Sequence, residues 1–271
     1  MNNHNAIIAA TALSLLVFLF GCDPQKPKAQ KTVSNSPGPA GVSRPTTLKE
    51  LLPHPPGTHQ QIINQDDGSK SYFTILVPQN YDRKNPTPLV LALHYGGSMP
   101  FYGKGILEGL VAPALADLNA IIVAPDVIPG EKRQGWCDEK NEKYLLELVD
   151  NLMRAYNIDS KKVLVTGFSM GGHGTFYIAA RNQDRFTAAI PMAGRPRGLE
   201  TKWEIPLYVI HSKDDERVKI GPTKQYVEKI KAEGADVTLP ELEGLKHGPA
   251  SAYQSALKES VEWLRKAWAE E

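Results

Sequence analysis

The sequence predicts a doubly wound α/β fold, in which helices cover both faces of a mostly parallel sheet. The main evidence is a series of short, nearly continuous apolar runs, as expected for strands that are buried on both faces. These runs occupy residues 88–94, 120–125, 162–167, 188–194 and 206–212. Patterns typical of helices lie between several of them, and this alternation indicates parallel strands joined by right-handed crossovers.

Further predicted elements complete this fold. Residues 59–63 and 71–77 flank a turn that contains Asp67 and Gly68, which predicts an antiparallel hairpin at the edge of the sheet. Helical periodicity is found at residues 143–156, 222–232 and 253–268. The segment RPRGLETKWEI, between two predicted strands, is too short to hold a lid domain. We therefore expect one folded domain over residues 48–271, without a lid.

The composition gives no sign of a polyanionic partner. Lys and Arg together number 31 and Asp and Glu number 30, for a formal net charge of +1. Without an excess of positive charge, no long-range field attracts nucleic acid or an anionic membrane surface. A chain of 271 residues with 41% hydrophobic residues can bury a sizeable core. We therefore expect a globular domain that does not bind nucleic acid.

Residues 1–22 resemble an export signal. Residues 6–20 carry no charge, but a permanent membrane-spanning helix needs roughly 20 apolar residues, so this run is short for one. Gly21 before Cys22 is similar to the end of a bacterial lipoprotein signal, in which the cysteine becomes the lipidated first residue of the mature chain. Phe20 is bulkier than that pattern prefers, and MNNHN contains no Lys or Arg. A plain cleaved signal or an uncleaved anchor is the alternative.

Residues 23–47 separate this signal from the predicted domain. They are rich in Pro, Lys, Ser and Gly, and they contain too few large apolar side chains to offset the entropy of ordering. We interpret them as a disordered tether that would hold the domain away from a membrane. If Cys22 carries lipid, Cys137 has no partner for an intrachain disulfide. No strand-to-turn context surrounds Cys137, so we expect a packed or idle thiol and not a nucleophile.

The stretch VLVTGFSMGGHG places Ser169 between glycines, directly after a predicted strand and before a predicted helix. A turn this sharp strains the serine backbone and brings neighbouring Cβ positions into collision, which explains Gly167 and Gly171. In a doubly wound sheet, chemistry collects beyond the carboxyl ends of the strands. Ser169 is therefore predicted to be a nucleophile, and a structural glycine-rich turn is the alternative.

In this setting GFSMGG resembles the nucleophile elbow of the α/β-hydrolase family, and the similarity extends over residues 89–263. Gly135 and Trp136, followed by an acidic stretch and a helix, are similar to feruloyl, acetylxylan and polyhydroxybutyrate-depolymerase-like esterases. The wider resemblance includes phospholipase and carboxylesterase members. It implies an α/β-hydrolase fold, a serine esterase and no cofactor.

A nucleophilic serine needs a base that takes its proton and an acid that orients the base. In this family the chain order is serine, acid, histidine. His247 satisfies this order, because it lies in a Gly-flanked loop before the last predicted helix. We therefore predict that His247 is the base, and a solvated loop histidine is the alternative.

The stretch VIHSKDDERV follows a predicted strand and offers two neighbouring candidates for the acid. The candidates are Asp214, Asp215 and, more remotely, Asp126 at the end of an earlier strand. The family often has a histidine, an aspartate four residues later and a valine three further on, and His211, Asp215 and Val218 match this spacing. The resemblance therefore implies Asp215, although Ser212 stands where the family usually has glycine.

Backbone N–H donors that stabilise the developing oxyanion contribute about 3 kcal/mol each. The first predicted donor is Met170, directly after the nucleophile. The second comes from HYGG at residues 94–97, which resembles the oxyanion loops of the family; we favour Tyr95, with Gly96 as the alternative. No metal is expected, because the histidines near the predicted strand ends lack the spacing of metal ligands. These histidines are His94, His173 and His211.

The sequence thus predicts an exported serine hydrolase that cleaves carboxylic esters through an acyl-serine intermediate. Without a lid, the site should be open and suited to an ester on a large or polymer-bound molecule. The expected location is the cell envelope, with a lipid on Cys22 anchoring the chain to a bacterial membrane facing the periplasm or the exterior. The alternatives are a peptidase resembling the prolyl oligopeptidase group and a catalytically silent binding lipoprotein.

Overall fold

The computed structural model describes residues 46–128, 135–197, 199 and 202–269. The predictions made for the signal at residues 1–22, which include lipidation of Cys22, lie outside these residues. The same holds for residues 23–45 of the predicted tether.

The described part of the chain forms an eight-stranded sheet. Its strands are β1 (Gly57–Asn64), β2 (Lys70–Val77), β3 (Thr87–Leu93), β4 (Ile121–Pro125), β5 (Ile158–Phe168), β6 (Ala188–Met192), β7 (Leu207–Tyr208) and β8 (Val237–Thr238). Their order across the sheet is β1-β2-β4-β3-β5-β6-β7-β8. β2 pairs antiparallel with β1 and with β4. Every other pair of neighbouring strands, from β4–β3 to β7–β8, is parallel. The predicted doubly wound, mostly parallel sheet with an antiparallel hairpin at its start is confirmed.

The helices lie on both faces of this sheet. They are α1 (Gly103–Ile106), α2 (Ala112–Ala114), α3 (Glu139–Ala155), α4 (Met170–Arg181), α5 (Gly221–Ala232) and α6 (Gln254–Ala269). A π-helical turn, Leu107–Val111, joins α1 to α2. None of the helices within the described residues is long and apolar enough to cross a bilayer.

The burial of β3 shows why its sequence is a continuous apolar run. Leu89, Leu91 and Leu93 pack into one hydrophobic cluster, with side chains of α3 and α4. Val90 and Ala92 point to the opposite face and pack with side chains of α1 and α6. Since successive residues of a strand face opposite sides, a strand covered on both faces needs apolar residues at every position.

Three elements differ from the sequence-based expectation. The helical segment from α1 to α2 was missed, because its Gly and Pro residues lower helix propensity and only burial of side chains such as Ile106 and Leu110 holds it in place. β8 was missed because it is short. The predicted strand at residues 206–212 forms a ladder only at Leu207–Tyr208 and continues as isolated bridges.

The chain is already paired with the sheet at Thr46, a position assigned to the predicted tether. The Thr46 N–H donates to the Ile62 carbonyl at 3.1 Å, and the Thr46 carbonyl accepts from the Asn64 N–H at 2.8 Å. Between β6 and β7, residues 193–197, 199 and 202–206 form no helix or strand.

Candidate active site

The structure places Ser169 on a sharp turn between β5 and α4. β5 ends at Phe168 and α4 begins at Met170, so Ser169 alone makes the turn. Its backbone has φ 56° and ψ −111°, a region that costs a non-glycine residue about 1–3 kcal/mol. The Ser169 N–H donates to the Met192 carbonyl at 2.9 Å, which ties the turn to the end of β6.

The glycines beside Ser169 are required by close backbone approach. A Cβ added to Gly171 would lie 1.8 Å from the Leu93 carbonyl oxygen at the end of β3. A Cβ added to Gly167 would lie 2.6 Å from the backbone of Gly171. The steric reason predicted for both glycines is therefore confirmed. The first turn of α4 lies directly against the end of β3.

Three predicted site residues form a continuous chain of hydrogen bonds. The distance between Ser169 Oγ and His247 Nε2 is 2.8 Å. His247 Nδ1 lies 3.0 Å and 2.9 Å from the two carboxylate oxygens of Asp215. Because a carboxylate only accepts, Nδ1 carries the proton, and Nε2 is left to accept the hydroxyl proton of Ser169. The imidazole has the tautomer and the orientation of a general base.

Asp215 is 1% exposed and is fixed by its own loop. Its Oδ1 accepts from the N–H groups of Arg217 at 2.9 Å and Val218 at 2.8 Å. The buried His211 lies behind it, with Nε2 donating to the Val218 carbonyl at 2.7 Å. Burial lowers the pKa of His211, which favours the neutral form of its ring. The spacing of His211, Asp215 and Val218 thus corresponds to one packed turn that holds the carboxylate.

The acidic neighbours of Asp215 hold the loop that carries His247. Asp214 Oδ2 accepts from the Gly244 N–H at 2.6 Å. Glu216 Oε2 accepts from the His247 N–H at 3.1 Å. The three consecutive acids therefore bind two backbone amides and the imidazole of one loop. Sequence reasoning missed the roles of Asp214 and Glu216, because no local pattern indicates which distant amide an exposed carboxylate will bind.

Asp126, the remote candidate for the acid, has a different place in the structure. It is buried, and its Oδ1 accepts from the Gly103 N–H at 2.8 Å, where it caps the start of α1. Burial raises the pKa of Asp126 to about 6. Asp126 therefore accepts a hydrogen bond from α1, and it is Asp215 whose carboxylate accepts from His247.

Residues 94–97, which we call the oxyanion loop, lie against the turn of Ser169. A Cβ on Gly171 would be 2.9 Å from the His94 carbonyl oxygen. The Phe168 ring makes an edge contact with the Tyr95 ring, with centroids 6.3 Å apart, and lies 5.4 Å from the His247 ring. The predicted donors Tyr95 and Met170 are thus brought to the same end of the sheet as Ser169. The choice between Tyr95 and Gly96 stays open.

His94 and His173 each contact the backbone of a different loop. His94 Nε2 accepts from the Val127 N–H at 3.1 Å, and His173 Nδ1 lies 2.9 Å from both the N–H and the carbonyl oxygen of Arg195. Burial lowers the pKa of both rings to about 4. Within the described ranges, no group of three or more His, Cys, Asp or Glu side chains could hold a metal ion.

Cys137 is a free, half-buried cysteine. Burial raises its pKa to about 11, so the thiol stays protonated at neutral pH. The thiolate is the reactive form of cysteine, and the structure therefore agrees with the expectation of a packed thiol.

Comparison with known proteins identifies related chains. Feruloyl esterase D of Neurospora crassa is 25% identical over 155 residues, which cover 50% of this chain and 49% of that protein. A probable acetylxylan esterase A of Aspergillus flavus is 29% identical over 164 residues, 55% of this chain and 50% of that protein. The chain thus spans about half the length of these curated relatives.

A solved thermostable esterase shares the fold. Its structure matches with a TM-score of 0.65 at 24% identity, over 77% of this chain and 62% of that chain. The model of the Dienelactone hydrolase family matches residues 89–270, a segment that runs from β3 to α6 and includes Ser169, Asp215 and His247. The chain belongs to the dienelactone hydrolase family, whose members have the α/β-hydrolase fold.

Proposed function

We propose that this protein is a carboxylic-ester hydrolase that acts through an acyl-serine intermediate. The observation that carries the proposal is the hydrogen-bonded chain from Asp215 through His247 to Ser169, at the strained turn after β5. This geometry has the elements that activate a serine: a nucleophile, a base within 2.8 Å and an acid that orients the base. The names of the curated relatives agree with this chemistry.

The proposed reaction has two halves of the same form. In the first, Ser169 Oγ attacks the ester carbonyl carbon while His247 Nε2 takes the hydroxyl proton, and Asp215 stabilises the resulting imidazolium. The N–H groups of Met170 and Tyr95 donate hydrogen bonds to the negatively charged carbonyl oxygen and stabilise it. The intermediate collapses, the bond to the alcohol oxygen breaks, and His247 returns its proton to that oxygen. In the second half, water attacks the acyl carbon while His247 takes its proton, the bond from that carbon to Ser169 Oγ breaks, His247 returns the proton to Oγ, and the free acid leaves.

We infer an open site that accepts an acetyl or aromatic acyl group carried by a large alcohol, such as a polysaccharide. The short segment between β6 and β7 supports an accessible nucleophile, and Ser169 is half-buried rather than enclosed. The relatives named feruloyl esterase and acetylxylan esterase suggest these two acyl groups.

The test is made on the full chain, solubilised in detergent. We expect a fluorophosphonate probe to label the protein and the same sample to hydrolyse acetyl and feruloyl esters faster than long-chain nitrophenyl esters. The absence of both labelling and hydrolysis would support a silent binding protein. Cleavage of prolyl amides without cleavage of esters would indicate a peptidase. A clear preference for long acyl chains would contradict the open site.

We further propose that the protein is exported and anchored by a lipid on Cys22. The proposal is supported by the uncharged run at residues 6–20 and by Gly21 before Cys22. Mass spectrometry of the chain isolated from membranes should find Cys22 as the first residue, with its mass increased by the lipid. An unmodified Cys22, or a chain that retains residues 1–21, would contradict it.

A further inference from the structure

Three aromatic side chains each donate a hydrogen bond to a carbonyl oxygen of the oxyanion loop. Trp136 Nε1 donates to the His94 carbonyl at 2.9 Å. His94 Nδ1 and the Tyr95 carbonyl oxygen are 2.5 Å apart. The Tyr102 hydroxyl donates to the Gly96 carbonyl at 3.0 Å. Three successive peptide groups are therefore held through their oxygen atoms.

The direction of the His94 bond follows from its other ring nitrogen. His94 Nε2 accepts from the Val127 N–H at 3.1 Å, so Nε2 carries no proton. Nδ1 must then carry the proton of the neutral ring and donate it to Tyr95. This neutral form agrees with the complete burial of the side chain.

Fixing these oxygens also fixes the N–H groups. In a planar trans peptide, the N–H of one residue points opposite to the carbonyl of the residue before it. The bond from Trp136 to the His94 carbonyl therefore sets the direction of the Tyr95 N–H. By the same geometry, the hydrogen bond from His94 to the Tyr95 carbonyl sets the direction of the Gly96 N–H. The hydrogen bond from Tyr102 to the Gly96 carbonyl sets the direction of the Gly97 N–H.

Trp136 is itself held rigidly. It is 0% exposed, and its ring makes an edge contact with the His94 ring, with centroids 5.0 Å apart. Gly174 of α4 leaves room for it, because a Cβ there would lie 2.3 Å from Trp136 Cβ. Trp136 thus packs on the helix that begins at the nucleophile and bonds to the loop that carries the second donor. Trp136 therefore fixes the position of the oxyanion loop relative to α4.

We propose that Trp136 is a positioning residue that aims the Tyr95 N–H at the oxyanion. The inference rests on the proposed ester hydrolysis and goes beyond it, because it assigns a function to an indole that lies outside the Ser-His-Asp chain. It concerns the Tyr95 N–H in particular, because the indole holds that peptide, whereas His94 holds the peptide that carries the Gly96 N–H. An aligned donor stabilises the transition state and not the bound substrate, so its loss should lower kcat with little change in KM.

The test compares Trp136→Phe with the wild-type full chain. Phenylalanine keeps an aromatic ring but removes the indole N–H. We expect kcat for an acetyl ester to fall about 10-fold or more, with KM within about 2-fold. The affinity for a trifluoromethyl ketone, which forms a tetrahedral adduct with the serine, should fall by the same factor as kcat/KM. A purely structural loss would reduce the amount of active enzyme without this parallel change.

Trp268→Phe is the matched control, because it removes a buried indole N–H that donates to the Thr187 hydroxyl at 2.9 Å, just before the start of β6 and away from the oxyanion loop. We expect its kcat to stay within about 2-fold of wild type. If Trp136→Phe does not fold, replacing Trp136 with benzothienylalanine removes the N–H from a ring of nearly the same shape. Wild-type kcat in the benzothienylalanine variant, or equal losses in the Trp136 and Trp268 variants, would overturn the proposal. A wild-type chain that hydrolyses no ester would instead overturn the proposed function.

Discussion

Replacing Ser169 with alanine is expected to reduce kcat for ester hydrolysis by on the order of 10⁴- to 10⁶-fold. The hydroxyl oxygen lies 2.8 Å from His247 Nε2, and no acyl intermediate can form without it. The fold should be unchanged, because alanine adds no atom and meets the same backbone requirement at φ 56°. Steady-state kinetics on a short acyl ester, with circular dichroism for the fold, measures this loss.

His247→Ala, alone and combined with Ser169→Ala, is a second test of this prediction. Members of a catalytic unit have strongly non-additive effects, so the double variant should be about as inactive as either single variant. Additive losses would mean that the two side chains act separately, despite their hydrogen bond. Retained activity in Ser169→Ala would refute the proposed mechanism, and retained labelling by a fluorophosphonate would show that another residue is the nucleophile.

The parts of the fold that could be predicted are those in which burial determines the residue type. β3, β4 and β6 are covered on both faces, and their sequences are continuous apolar runs. Ser169 could be found because the sharp turn excludes side chains at Gly167 and Gly171, which leaves a local pattern. In each case the physical constraint acts on neighbouring residues, and the sequence therefore records it.

What could not be predicted depends on contacts between distant residues. Trp136 and His94 are separated by 42 positions, and the indole bond to the His94 carbonyl leaves no periodic pattern. The hydrogen bond that the His247 N–H donates to Glu216 joins a loop residue to an exposed carboxylate 31 positions away. The segment from α1 to α2 is stabilised by burial in spite of its glycines, so propensity gave the wrong expectation.

The same distinction explains why the residues of KDDERV alone do not decide between two neighbouring aspartates, so that the prediction of Asp215 depended on the family resemblance. Side chains of adjacent residues in a turn point in different directions, and only the fold determines which of them reaches His247. Asp215 is 1% exposed and bonds to the imidazole, whereas Asp214 bonds to the Gly244 N–H. Both aspartates therefore stabilise the loop that carries His247. Asp215 accepts a hydrogen bond from the His247 side chain, and Asp214 accepts one from the backbone at Gly244.

Asp215→Asn is consequently expected to lower kcat by about 10⁴-fold, because an asparagine amide favours the wrong tautomer of His247 and cannot stabilise its imidazolium form. Asp214→Asn and Glu216→Gln retain an acceptor for the amides that they bind, so each should stay within about 3-fold of wild type. Kinetics on the three variants with one short acyl ester make the comparison. Normal activity in Asp215→Asn, together with a large loss in Asp214→Asn, would show that the neighbouring carboxylate orients His247 during turnover. A large loss in Glu216→Gln would mean that the backbone of the His247 loop depends on the charge of Glu216 and not only on its acceptor oxygen.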